Sequence, residues 1–474
     1  MIKKSYLLLF LYLTTTSISI AQDNNSNNSH FKTSKTFKVF DFDHNFYVSK
    51  NQEIVVLKFI RNHCIIQKFD TSTPELIKEN KYSDFFPSGF NLESLKEIEG
   101  KYYFFYSLSN KNKKCDEIYA QEVDFEKVEF INHPKLILSS RGKRHKNKPP
   151  TYLHVNRLTE EICYEFIQPS DKSNLLIKYY TTIKDKESSS IELTLIDKNL
   201  SNIFTKSIQY SIDNKKNLIL SNRVDNKGNF YFVSKKIIEK NDTPQKIYFN
   251  TVKFNSINIS EINLNIGNKF TNELWIKDFK DEIFCGGFTS DFNTLKESFL
   301  EKRPKLNDSN EIVIFKINSN GEILENYKFN FPENIINFYK NQNQTNYVNN
   351  LFLHDFDILE TGEIFIIGEQ YIYDWSGKTP VGIYGDVLIC KINYNRELSF
   401  IKRLPKIQYS ANEMQPFSFR TFYTNDYIYL PFIDALKNLD TEKTKITPSG
   451  GDLILSRISL KNGDISRKFI LNIG

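Results

Sequence analysis

The segment EIVIFKINSNGEILENYKFN, residues 311–330, carries the clearest structural pattern in this 474-residue chain. An acidic residue and the apolar run 312–315 lead to a turn at residues 318–321, and a more polar stretch follows. Short runs of β-branched and aromatic residues that end in Asn and Gly are typical of strands joined by tight turns. The segment therefore predicts a β-hairpin.

Variants of this hairpin recur along the chain. Their first residues are Glu53, Glu117, Ile191, Lys246, Glu311, Asp386 and Asp452. Their turns recur at intervals of 57 to 75 residues, with a mean of about 67. A second hairpin precedes most copies, as in LFLHDFDILETGEIFIIGEQYIYD at residues 351–374. Each unit thus contains four antiparallel strands.

Seven units of four strands predict an all-β fold, a seven-bladed β-propeller of four-stranded antiparallel blades over residues 36–474. The third strands support this because 312–315 is apolar on both faces, as expected for a sheet covered on both sides. A propeller of six or eight blades and a pair of β-sandwich domains are the alternatives. We expect no amphipathic helix, and only single helical turns at 74–81 and 295–301.

The N-terminus has the features of a cleaved secretion signal, which we place at residues 1–21. Two lysines precede the apolar run 7–13, and small residues end at Ala21. That run is too short to span a bilayer. Residues 22–35 are polar and predict a flexible N-terminus. We expect an exported protein, periplasmic or extracellular, without a transmembrane segment.

Charge and cysteine content narrow the function classes further. The formal net charge of +6 is small and is not gathered into a stripe, so nucleic acid is not an expected partner. The densest basic run, 141–150, predicts a solvated loop; contact with an acidic polysaccharide, a lipopolysaccharide phosphate or nucleic acid is the alternative. The odd cysteine count leaves one or two disulfides possible, but the apolar surroundings favour buried thiols: Cys64, Cys115, Cys163, Cys285 and Cys390.

The hairpins, for example 386–392 (DVLICKI), and the segment 403–408 (RLPKIQ) resemble the repeats of secreted bacterial β-propeller proteins of the broad WD/kelch-like type. The third strands lack the Trp-Asp ending of WD repeats, and a Gly-Gly pair occurs once, at Gly286 and Gly287. The resemblance implies a fold and no activity.

Polar residues in the first strands are the candidate site, because first strands line the central channel of a propeller. The most polar first strand contains His354, Asp355 and Asp357. Imidazole and carboxylate side chains can bind cations or transfer protons. The structural alternative is one strand face that meets channel water. Lys277, Asp278 and Arg420, in or near other first strands, are further candidates for binding, and Arg223 has a similar position. Trp375, in a loop, is the last candidate.

No spacing in the chain supports a metal site. After His354-Asp355-Phe356-Asp357, the positions where a calcium loop needs Asp or Asn and then Gly hold Leu359 and Glu360. We also find no nucleophile elbow, phosphate loop or zinc motif, so we assign no catalytic residue, no metal and no cofactor.

We therefore expect a monomeric binding module for a protein or polysaccharide partner. The long segments 293–310, 375–385 and 436–450 each follow the second strand of a unit and are the expected contact loops. A hydrolase or lyase with a site at the channel mouth is the alternative, and it requires His354, Asp355, Asp357, Lys277 and Arg420 to converge. A structural envelope component is a third possibility.

Overall fold

The computed structural model describes the chain from residue 44 to residue 472, with gaps. The described residues are 44–60, 63–141, 143–144, 164–182, 189–210, 217–237, 245–271, 273–291, 308–343, 346–374, 381–410, 419–438 and 451–472. The expected secretion signal, residues 22–35, Cys163, Trp375 and segment 295–301 lie outside them, as does most of the basic run 141–150.

Seven antiparallel sheets follow one another along the chain, and in each of them four strands pair in sequence order, while three of the sheets carry one further short strand. This is the predicted seven-bladed β-propeller of four-stranded blades. The chain divides into two compact units. The first holds blades 1 to 3, apart from Ser189, Ser190, Ile208 and Gln209 of blade 3, and the second holds these four residues and blades 4 to 7.

The strands of the first unit form three blades. Blade 1 contains β1 (His44–Lys50), β2 (Glu53–Ile60), β3 (His63–Asp70) and β4 (Glu75–Ser83). Blade 2 contains β5 (Asn91–Ile98), β6 (Lys101–Asn110), β7 (Cys115–Asp124) and β8 (Glu129–Arg141). Blade 3 contains β9 (Lys143–Arg144), β10 (Glu165–Ile167), β11 (Leu175–Thr182), β12 (Ser189–Ile196) and β13 (Asn202–Gln209).

The strands of the second unit form four blades, and one α-helix of this unit lies between blades 5 and 6 in the sequence. Blade 4 contains β14 (Asn217–Val224), β15 (Phe230–Ile237), β16 (Gln245–Val252) and β17 (Ile259–Asn263). Blade 5 contains β18 (Lys269–Phe270), β19 (Trp275–Phe279), β20 (Glu282–Asp291), β21 (Glu311–Asn318) and β22 (Ile323–Asn330), followed by helix α1 (Glu333–Asn343). Blade 6 contains β23 (Leu351–Ile358), β24 (Ile364–Asp374), β25 (Val381–Ile392), β26 (Leu398–Leu404) and β27 (Gln408–Ser410). Blade 7 contains β28 (Phe422–Tyr423), β29 (Tyr427–Asp434), a 3-10 turn (Leu436–Asn438), β30 (Asp452–Ser459) and β31 (Ile465–Asn472).

The hairpin β21–β22 confirms the expected burial of third strands. β21 is buried along most of its length, and β22, at the sheet edge, is largely exposed. Apolar side chains of β21 fill two cores, since Ile314 packs against blade 6 and Val313 against blade 4. Successive residues of a strand point to opposite faces, so a strand packed between two neighbouring blades carries apolar side chains on both faces.

An Asp or Asn side chain shapes the turn after the third strand in most blades. In β21, Asn318 Oδ1 accepts hydrogen bonds from the backbone N–H groups of Asn320 and Glu322, each at 2.9 Å. Hydrogen bonds from the backbone to an Asp or Asn side chain stabilise a tight turn. The same role falls to Asp70, Asp124, Asp197 and Asn393.

The repeat starting at Glu53 is not a third strand, contrary to the prediction from the hairpin pattern. It forms β2, the second strand of blade 1, and β3 pairs with the edge strand β4. A lysine shows that β3 corresponds to the third strands β21 and β25 of other blades. Lys68, Lys316 and Lys391 occupy the same position in these three strands. Each forms an ion pair with a glutamate at the start of the second strand, namely Glu53, Glu282 and Glu363.

Helix α1 corrects the expectation that amphipathic helices are absent. It begins after Pro332, whose carbonyl accepts bonds from the N–H groups of Ile335 and Ile336 at 3.0 and 3.1 Å. Ile335 and Tyr339, four residues apart on one face, are buried against the core shared by blades 5 and 6. None of the helices in the described ranges is long and apolar enough to cross a membrane.

Two loop assignments also change. Residues 75–83 form β4 rather than a helical turn. Residues 381–385, expected in the loop that starts at Trp375, belong to β25, and 381–384 pair with β24. The four cysteines among the described residues, Cys64, Cys115, Cys285 and Cys390, are free and buried.

Candidate functional site

Polar side chains on the first strands of blades 4, 5 and 6 form a ladder of ion pairs. Arg223 of β14 contacts Asp278 of β19, with Nε and Oδ1 2.5 Å apart. The preceding residue of β19, Lys277, contacts Asp357 of β23, with Nζ and Oδ1 2.7 Å apart. Because neighbours in a strand point in opposite directions, Lys277 and Asp278 each reach a different adjacent blade. We call these four residues the first-strand ladder.

A β-bulge continues the polar row from blade 6 toward blade 7. The register of β23 against β24 shifts between Leu353 and Asp355, so His354 is an extra residue. A bulge of this kind re-aims side chains that strict alternation would place on opposite faces. Asp355 Oδ2 accepts hydrogen bonds from Thr421 Oγ1 at 2.5 Å and Tyr423 OH at 3.0 Å.

His354 also faces blade 7, where its ring lies 3.9 Å from that of Phe419. Its Nδ1 is 4.0 Å from Oε2 of the buried Glu369, which pairs with the fully buried Lys406. Burial lowers the pKa of His354 below its usual value, and the positive charges of Lys406 and Arg420 act in the same direction. The imidazole is therefore neutral at pH 7 and can accept or relay a proton.

Two further buried ionisable residues are Glu273, in the break between β18 and β19, and Lys235 of β15, whose charge acts on it. One carboxylate oxygen of Glu273 accepts a hydrogen bond from the backbone N–H of Leu353, immediately before the bulge. Burial raises the pKa of Glu273 to about 8. Lys235 of β15 is buried too, its Nζ 3.4 Å from the carbonyl of Thr271, and burial lowers its pKa to about 8.

The predicted site residues thus fall into two groups. Lys277, Asp278 and Asp357 lie in the ladder, whereas His354 and Asp355 lie against blade 7. Arg420 is exposed and acts on His354 through its charge. Trp375 lies outside the described residues. The five residues that the enzyme hypothesis needs together are therefore not joined by one set of contacts in the described part of the chain.

Sequence reasoning missed the buried charges around these groups, namely Lys235, Glu273, Glu369 and Lys406. Two of them carried a usable signal, since Lys235 and Glu369 lie in second strands that are otherwise largely apolar. A charge at a buried strand position must be paired or must change its protonation state. Within the described ranges, no three His, Cys, Asp or Glu side chains are grouped as a metal site.

The site offers matched charges and hydroxyl groups rather than a single reactive centre. Side chains of the ladder pair Lys277 and Asp357 are about one-third exposed, at 32% and 28%. Groups that are paired and still reach solvent can exchange a hydrogen bond with a ligand at small cost. The arrangement therefore suits recognition of a polar surface.

No family model and no curated protein matches this sequence. Solved structures similar to the chain include a prolyl endopeptidase at 9% identity and a TM-score of 0.42, with 91% of this chain and 51% of that chain covered. The chain thus spans about half the length of that structure. The β-propeller domain of the Trilobed protease from Pyrococcus furiosus is similar at 9% identity, with a TM-score of 0.37 and 92% and 97% coverage. The polysaccharide lyase Uly1 is similar at 7% identity, with a TM-score of 0.36 and 95% and 85% coverage.

Proposed function

We propose that this protein is an exported β-propeller that binds a protein or glycan partner in the cell envelope or outside the cell. The first-strand ladder and the bulge of β23 form the contact surface. The observation that supports this is the row of polar contacts across four consecutive blades, from Arg223 to Tyr423. Kinship with secreted WD/kelch-like propellers is part of the proposal and rests on the repeats alone.

Charge balance narrows the partner. Arg223, Lys277 and Arg420 carry positive charge at this surface, and Asp278, Asp355 and Asp357 carry negative charge. A dense polyanion would meet three carboxylates and gain no net attraction. A neutral glycan, or a protein loop with hydroxyl and amide groups, can satisfy donors and acceptors of both kinds.

Binding is tested with variants that change the surface and leave the cores intact. Arg420→Ala and Lys277→Met are compared with Lys328→Ala, which removes an exposed charge on the edge strand β22. Wild-type protein is screened on a glycan array and by crosslinking to envelope extracts. We expect both site variants to weaken the captured interaction about tenfold, as for loss of one charged hydrogen bond, and Lys328→Ala to leave it unchanged. Equal retention by all three variants contradicts the proposed surface.

Export is tested by the N-terminus of the mature protein. Periplasmic and extracellular fractions are collected from cells that express the whole chain, and the protein is sequenced from its first residue. Cleavage after Ala21 gives a mature chain that begins at Gln22. Recovery of uncleaved protein in the cytoplasm alone contradicts export.

A hydrolase or lyase is the second candidate, and the neutral His354 beside Glu369 and Lys406 favours it. A buried imidazole next to a carboxylate is a common general base. Here His354→Gln should abolish cleavage of a polysaccharide or peptide substrate, while the melting temperature stays near that of the wild type. Absence of turnover on a broad substrate panel counts against this candidate.

A further inference from the structure

A side chain from the neighbouring blade accepts a backbone hydrogen bond at the bulge in β23. A bulge disrupts the hydrogen-bond ladder locally, and a buried backbone N–H needs another acceptor. At Leu353 the acceptor is Oε2 of Glu273, in the break between β18 and β19. His354 and Asp355 follow directly, so this bond fixes the point from which both side chains turn toward blade 7.

Glu273 is held rigidly in turn. Thr271 Oγ1 donates to the carbonyl of Glu273 at 3.1 Å and accepts from its N–H at 3.2 Å. A Cβ on Gly287 would lie 2.3 Å from the same carbonyl oxygen, so β20 packs closely against this segment. These contacts fix the backbone of Glu273, and its carboxyl group is held by the bond to Leu353.

The surroundings of the carboxyl group disfavour its negative charge. Glu273 is buried, and its Oε1 has no hydrogen-bond partner within the described ranges. Lys235 of β15 is the charged side chain that acts on it, while His354 responds to Glu369, Asp355, Lys406 and Arg420. A buried carboxyl group with one unpaired oxygen holds its proton to higher pH than an exposed one.

We propose that Glu273 is a positioning residue for His354 and Asp355, and that gain or loss of its proton changes the position of both side chains through the backbone of Leu353. The effect on partner binding rests on the proposed function, whereas the positioning does not. The device makes the binding surface sensitive to mildly alkaline pH.

The sign of the effect on stability follows from linkage. Glu273 has a raised pKa in the folded state, about 8 against an ordinary value of 4.5. The folded protein binds the extra proton between these values, so the stability from neutral Glu273 is complete below pH 4.5 and is lost as pH rises through 8. Lys235, with its pKa lowered from 10.5 to about 8, acts in the opposite direction between pH 8 and pH 10.5.

The test follows the imidazole of His354 in the whole mature chain by NMR, with ¹³C-labelled histidines and assignment by His354→Gln. His354 stays neutral above pH 7, so a signal change between pH 7 and 9.5 reports a neighbour. We expect a midpoint near pH 8 in the wild type and none in Glu273→Gln. Lys235→Met should move the midpoint upward, because Lys235 stabilises the carboxylate. Glu311→Gln, a buried carboxyl bonded to Thr289, is the control and should leave the titration unchanged.

Hydrogen exchange supplies a readout of the bond itself. The peptide spanning Leu351–Ile358 should exchange about tenfold faster in Glu273→Ala than in Glu273→Gln, since only glutamine restores an acceptor for Leu353. A titration that persists in Glu273→Gln, a flat wild-type signal, or equal exchange in the two variants overturns the proposal. Should Glu273→Gln fail to fold, an unchanged midpoint in Lys235→Met overturns it. These readouts use no ligand, so a failed partner screen with a normal titration contradicts only the proposed function.

Discussion

At Gly287, β20 passes close to the backbone of the segment between β18 and β19. A Cβ there would lie 2.3 Å from the carbonyl oxygen of Glu273, an atom that cannot rotate away. A Cβ on the adjacent Gly286 would meet side-chain atoms of Phe356 at 3.1 Å and Ile314 at 3.3 Å, which can shift. Although both glycines lie on β20, a larger residue at Gly287 would have to displace backbone, whereas one at Gly286 would displace only side chains.

Gly287→Ala should therefore destabilise the protein by about 3 kcal/mol or more, because the new methyl group meets a backbone atom that cannot shift. Gly286→Ala should destabilise it by about 1 kcal/mol, because the neighbouring side chains can move aside. Urea unfolding followed by far-UV circular dichroism measures the difference in midpoint. Equal midpoints for the two variants would show that the segment at Glu273 relaxes freely.

Single residues also mark the limit of what the sequence reveals about the site. Asp357 and Lys277 are recognisable as polar first-strand residues, yet their contact joins positions 80 apart in the chain. The sequence predicts which residues share a strand but not which adjacent strand each side chain reaches, because a bulge changes that choice by one position. His354 and Asp355 are the clearest case.

The third strand of a blade combines core packing, a turn residue and, in three blades, an ion pair. Its apolar positions fill two cores, its Asp or Asn ends the strand, and in three blades its lysine pairs with a glutamate of the second strand. The lysine pairs differ in burial, since the side chain of Lys391 is 8% exposed and that of Lys316 is 18% exposed. Lys391 Nζ also donates to the carbonyl of Leu460 in blade 7, at 2.6 Å.

Lys391→Met should destabilise the protein by about 3 kcal/mol, because it leaves the half-buried Glu363 and a buried carbonyl without their cation. Lys316→Met should cost about 1 kcal/mol or less, since Glu282 and Glu325 remain in contact with water. Thermal unfolding of both variants at low and high salt checks the order. A larger loss in Lys316→Met would contradict the dependence on burial.

Helix α1 shows why an element can be missed when a repeat dominates the sequence pattern. Its apolar positions Ile335, Ile336, Phe338 and Tyr339 have helical spacing, but they follow an edge strand and resemble one more short β run. Tertiary contacts decide its role: Tyr339 donates to Asp386 at 2.9 Å, and Arg403 lies 3.8 Å from the ring of Phe338. None of these partners is near the helix in sequence.

For the molecule as a whole, the spacing of the hairpins is enough to predict seven blades. Adjacent blades within each compact unit bury their faces against each other, so the apolar pattern repeats along the chain, and a repeat is visible without knowledge of contacts. Function has no such period. A site built from first strands of several blades would place one or two residues in each repeat, and the buried groups beside it, such as Glu273 and Lys406, lie between strands.

The cysteines allow a test that spans both compact units. Burial raises the pKa of the thiols of Cys64, Cys285 and Cys390, so the reactive thiolate is scarce at neutral pH. Cys115 is buried as well, which leaves Cys163, outside the described residues, as the fifth thiol. We expect a thiol-specific reagent to modify at most one cysteine quickly in the native protein, and all five in denaturant. Two or more fast thiols would show that a blade core opens under native conditions, and fewer than five in denaturant would reveal a disulfide. Slow modification of the remaining four would then report the rate at which the blade cores open, because a thiol buried between two sheets reacts only when those sheets separate.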